Sequence, residues 1–122
     1  MKTIVAGSRS IVEYHIVERV IISSEFDITI IISGTAKGVD QLGELYAKRH
    51  NIPVERYPAN WNEYGKSAGM IRNRQMAENA DALIAIWDGQ SRGTKNMIHM
   101  AEKAGLKVYV YNMGNYQLEF KT

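Results

Sequence analysis

Four short stretches hold most of the residues suited to gripping an anion: GSRS (7–10), SGTAKG (33–38), PANW (58–61) and WDGQSRGT (87–94). Glycines such as Gly7, Gly34, Gly38, Gly89 and Gly93 let backbone N–H groups approach a ligand closely. The hydroxyls of Ser8, Ser33, Thr35, Ser91 and Thr94 can donate to phosphate oxygens, and a helix starting after each loop adds partial positive charge. Arg9, Lys37, Arg72 and Arg92 bring full charges, arginine as a two-pronged donor to phosphate or carboxylate. Trp61 and Trp87 offer flat faces for a base, and Asp88 is a carboxylate suited to ribose or to chemistry.

Each stretch alone also fits a simpler role. GSRS fits a tight turn, SGTAKG an ordinary strand-to-helix loop, and either tryptophan a core or rim hydrophobe. None is a Walker A loop or a GxGxxG fingerprint. Their convergence on one rim is what makes a site, and that depends on the elements between them.

Those elements alternate. TIVA (3–6) and TIIIS (29–33) are short, β-branched runs that read as strands buried on both faces. Between them Ile11, Val12, Ile16, Val17, Val20 and Ile21 recur at helical spacing. A second helix runs from Val39 and must stop before Pro53. A third strand is expected over 54–57, and a polar stretch too long for a simple turn, PANWNEYGKSAG, follows it. Then come a helix over 68–79, a strand over 82–87, a helix over 94–104 and a strand over 107–111. The ending NMGNYQLEFKT suits an edge strand or a partner contact. This order implies a Rossmann-like three-layer α/β sandwich around a mainly parallel five-stranded sheet. In such sheets ligands bind beyond the carboxyl ends of the strands, where all four stretches fall.

Composition narrows the chemistry. The 122 residues suit one domain over 1–122, and a formal charge of +2 is too small to imply nucleic acid as a partner. No cysteine is present, so disulfides and thiolate chemistry are excluded, and His15, His50 and His99 have no ligand spacing. No metal and no cofactor are expected. No apolar run approaches the roughly 20 residues that span a bilayer, so no membrane association is expected, and MKTIVAG leads directly into a strand. The expected location is the cytoplasm.

Taken together, GSRS, SGTAKGVDQL, YPANW, YGKSAGMIRNRQM and ADALIAIWDGQSRGTKNMI resemble the motifs of the YspA/YpsA-like branch of the SLOG superfamily over residues 3 to about 110. The resemblance implies a Rossmann-like fold, a nucleotide or nucleotide-derived ligand, homo-oligomerisation, and site roles for Asp40, Asn60 and Asn73 in addition to the residues above. Thr35 stands where the family usually has glycine, and Asn60 where it usually has aspartate. The wider superfamily includes the LONELY GUY phosphoribohydrolases, whose arginine corresponds to Arg72 and whose glutamate corresponds to Met97. A thioether cannot act as a general base or stabilise an oxocarbenium-like centre.

Two functions follow as expectations. In the first, the protein holds an ADP-ribose or cyclic ADP-ribose type molecule without cutting it, as a phage-type sequestering protein acting against Thoeris-like signalling would. In the second, it is an N-glycosidase using Arg72 and Asp88. A DNA-binding role resembling that of DNA processing protein A is disfavoured by the lack of a basic stripe.

Overall fold

The computed structural model describes residues 1–114 with their side chains, and the backbone of Gln117–Lys121. Its strands are β1 (Lys2–Gly7), β2 (Ile30–Ser33), β3 (Val54–Arg56), β4 (Ala82–Trp87), β5 (Lys107–Asn112) and β6 (Gln117–Lys121). They form one sheet in the order β3-β2-β1-β4-β5-β6, with β1 to β5 parallel and β6 antiparallel against β5. The architecture is Rossmann-like α/β, as the alternation of elements requires. The edge strand expected at the C-terminus is β6; its side chains lie outside the described residues.

The helices are α1 (Tyr14–Ser24), α2 (Val39–Arg49), α3 (Trp61–Tyr64), α4 (Ala68–Glu78) and α5 (Arg92–Lys103). The strand residues alternate between two cores. Val5, Ile31, Ile84 and Ile86 pack under α1 and α2 with Val17, Ile21, Val39 and Ala47. Ile4, Ile32, Leu83, Ala85 and Val110 pack under α4 and α5 with Met76, Met97 and Ala101. Strands covered on both faces become continuous apolar runs, which explains IVA and ALIAI.

Three differences from the sequence reading exceed one residue. Helix α1 begins at Tyr14, because Ile11 is buried from the preceding loop through a turn in which its N–H donates to Ser8 O. Val12 is consequently 71% exposed and was never part of the helical stripe. The stretch after β3 is not all loop: Asn60 caps the four-residue α3, a 3-10 turn follows over Gly65–Ser67, and α4 starts directly after it. Helix α5 begins at Arg92, since Ser91 caps it by accepting from the Thr94 N–H.

The chain passes from β1 outward through β2 and β3, then crosses back to β4 on the other side of β1. Strand order therefore reverses between β1 and β4, and there the chains leaving the two strands run to helices on opposite faces and leave a crevice.

Candidate functional site

That crevice is a cleft of about 630 Å³ at the carboxyl edge of the sheet, within the roughly 300–1,000 Å³ usual for small-molecule sites. Met76 and Met97 lie at its base, both 1% exposed, with Ala6 and Gly7 at the end of β1. Trp61 and Met70 form its lip and are more than half exposed. Polar groups converge from every side: Arg9 and Ser10 after β1, Lys66 before α4, Arg72 and Asn73 on α4, and Asp88, Ser91, Arg92, Gly93, Thr94 and Asn96 around the start of α5. A second recess of about 370 Å³ adjoins it, lined by Gly34, Thr35, Lys37, Gln41, Pro58 and Ala59. Arg9, Ala36, Trp61 and Arg72 belong to both.

The cations divide into two kinds. Arg72 is tied down: its Nη1 donates to Gly34 O and its Nε to Asn73 Oδ1 at 3.0 Å. Burial lowers its pKa, opposed by the nearby Asp40 carboxylate. Arg9, Lys37, Lys66 and Arg92 are exposed and make no ion pair among the described residues, whereas Arg56, Arg74 and Lys2 each meet a glutamate. Cations left without acids around one cleft favour an anionic ligand.

The carboxylates are largely occupied. Asp88 Oδ1 accepts the N–H groups of Gln90 and Ser91 at 2.8 and 2.7 Å, which fixes the loop and holds the acid below its ordinary pKa. Asp40 is 5% exposed and accepts from Ala36 N–H; burial pushes its pKa up to about 6 against that bond, the Arg72 charge and a bond from Gly7. A Cβ placed on Gly34 would lie 2.7 Å from both Arg72 Nη1 and Asp40 Oδ2, so a larger residue here would displace one of these two side chains.

Eleven of the residues expected at the site line the cleft: Gly7, Arg9, Asp40, Trp61, Arg72, Asn73, Asp88, Ser91, Arg92, Gly93 and Thr94. Gly34, Thr35 and Lys37 line the recess. The remaining six stand behind the walls. Ser8 is buried and its Oγ accepts the Asp88 N–H at 3.0 Å, joining the β1 and β4 loops across the switch point. Ser33 Oγ donates to Glu44 Oε2 and accepts the Thr35 N–H. Gly38, at φ 79°, sits where a Cβ would strike Ser8 O and Arg9 O at 2.6 and 2.7 Å. Asn60 caps α3, and Trp87 packs on the core while its Nε1 donates to Ser91 O. Gly89 backs onto the Asn112 amide.

Lys66, Gln41, Asn96 and Met70 were not anticipated. Only Lys66 carried a readable signal, as a cation in the glycine-bearing stretch. Met70 and Asn96 line the cleft and Gln41 the recess from the ends of α4, α5 and α2, and residues at a helix start look alike in sequence whether they face a ligand or water. Among the described residues no group of three or more acids or histidines could hold a metal ion.

A family model for the YspA, cpYpsA-related SLOG family matches residues 1–64. The chain belongs to that family. The Gene 61 protein of Mycobacterium phage D29 is 33% identical over 85 residues, covering 65% of this chain and 68% of that protein. DNA processing protein A from Streptococcus pneumoniae superposes with a TM-score of 0.71 over 89% of this chain and 49% of that one. At 21% identity this supports the fold alone, and the chain spans about half the length of that protein. Membership of a SLOG family suggests nucleotide-related binding or processing.

The SLOG motifs are bent in two places. Thr35, where the motif usually has glycine, retains a glycine-like backbone with φ 65°. Asn60, where it usually has aspartate, still serves as a cap, since either side chain offers the needed oxygen. No helix is long and apolar enough to cross a membrane among the described residues.

Proposed function

We propose that this protein binds a nucleotide-derived molecule of the ADP-ribose or cyclic ADP-ribose class in the cleft and holds it intact. The observation that carries this reading is the pairing of a methionine base and a tryptophan lip with exposed cations that form no ion pair among the described residues. A base can lie on the apolar part while phosphates meet Arg9, Arg92 and the start of α5. The carboxylates near the cleft support holding over cutting: Asp88 has one oxygen committed to loop amides and Asp40 is buried. Met97 leaves the floor without an acid or base. Similarity to a phage protein fits a sequestering role directed at nucleotide signals of the Thoeris type.

The test is to incubate the protein with ADP-ribose, cyclic ADP-ribose and AMP, denature it by heat, and analyse what is released. Intact ligand is expected. Accumulating free adenine together with the matching ribose phosphate would support the N-glycosidase reading with Arg72 and Asp88. In calorimetry, Arg9→Ala and Arg92→Ala should each weaken binding by about 1.5–3 kcal/mol, the scale of a charge-assisted hydrogen bond. Unchanged affinity in both would place the ligand elsewhere.

A further inference from the structure

We propose that the recess beside the cleft is a second anion subsite, so that the preferred ligand carries two phosphoryl groups and occupies both compartments. The inference rests on the nucleotide reading of the cleft and adds which part of the ligand goes where.

Cation placement is the first argument. Lys66 and Arg92 line only the cleft, Lys37 lines only the recess, and Arg9 and Arg72 stand where the two meet. A single phosphate can meet the cations of one compartment and leaves the other end of this row without a counter-charge. The recess is also different in kind. No carboxylate lines it, no methionine floors it, and its polar groups include Gln41, Thr35 and Lys37. Such a wall suits a phosphoryl group and its hydration shell, whereas the methionine base of the cleft suits a base.

Thr35 supplies an independent argument. A β-branched residue at φ 65° is a genuine conformational outlier, and such strain persists where the surrounding structure enforces it, most often at ligand-binding positions. Thr35 lines the recess, so the residue that carries this cost stands at the proposed subsite. Its N–H is already engaged by Ser33 Oγ, which fixes the loop around it.

The experiment compares AMP, ADP and ADP-ribose by calorimetry on the wild-type chain, Lys37→Ala and Lys37→Arg. In the wild type, at least one of the two-phosphoryl ligands should bind ten-fold or more tightly than AMP. That ratio should fall below three in Lys37→Ala and recover in Lys37→Arg. AMP binding equal to that of both longer ligands overturns the second subsite and leaves the nucleotide reading standing. A ratio unaltered by Lys37→Ala also overturns it. Failure of all three to bind the wild type overturns the nucleotide reading and the subsite together.

Discussion

Asp40 sits at the junction of three parts of the site, in contact with the β2–α2 loop through Ala36 and close to Gly7 and Arg72. Its pKa of about 6 in the folded chain lies above the ordinary 3.8, because burial penalises the charge more than its partners favour it. The folded state therefore holds this proton more tightly than the unfolded one. The stabilisation this gives is complete below pH 3.8 and is lost as pH rises through 6. Asp88, held below its ordinary value, acts in the opposite sense, losing its contribution as pH falls through its folded pKa. Across pH 4–6 the Asp40 term should be on the order of 3 kcal/mol. Urea unfolding of Asp40→Asn against wild type should show the difference between them changing across that window, and a difference independent of pH would refute the assignment. Thr35 makes a simpler case. Replacing it with glycine relieves a left-handed backbone at some cost in unfolded-state entropy, so Thr35→Gly should gain up to about 1 kcal/mol. A loss of stability on thermal melting would mean that the hydroxyl's contacts outweigh the strain.

At the scale of elements, the start of α5 is positioned from α4 by one side chain. Asn73 is 6% exposed; its Nδ2 donates to Asn96 Oδ1 at 2.9 Å and to Gly93 O at 3.3 Å, while its Oδ1 receives Arg72 Nε. Asn73→Ala would leave those groups without partners beside the cleft, at a cost of about 2–3 kcal/mol. The expected result is a lower urea midpoint at unchanged m-value, with weaker ligand binding because the α5 N-terminus shifts. Stability within about 0.5 kcal/mol of wild type would show that water replaces the amide, as at ordinary surface positions. The strand and helix order was legible from ALIAI, TIVA and the spacing of Val17, Val20 and Ile21, because burial on a layered sheet imposes those patterns. Position 73 was legible only through the resemblance to family motifs. A buried asparagine has no periodic signature, and its partners at positions 93 and 96 are distant in the chain. Ser8 and Ser33 show the converse limit: hydroxyls beside glycines look like phosphate ligands, yet their geometry joins protein to protein. In sequence the two roles are written alike.

For the whole molecule, a formal charge of +2 conceals an uneven distribution. Arg9, Lys37, Lys66, Arg72 and Arg92 surround the cleft and recess, where Asp40 and Asp88 are the acids in view. A field concentrated at one edge of a nearly neutral body attracts an anion without making the surface generally basic. Screening gives the test. Exposed charges interact over about 10 Å at 0.1 M salt and about 3 Å at 1 M, while the methionine base and Trp61 are insensitive to salt over that range. Affinity for ADP-ribose should therefore fall about ten-fold between 0.05 and 0.5 M potassium chloride. Arg92→Ala should show a shallower dependence than wild type, since one contributing charge is gone. Affinity that holds constant with salt would assign binding to the apolar base alone, and the cations around the cleft would then have no part in capturing the ligand.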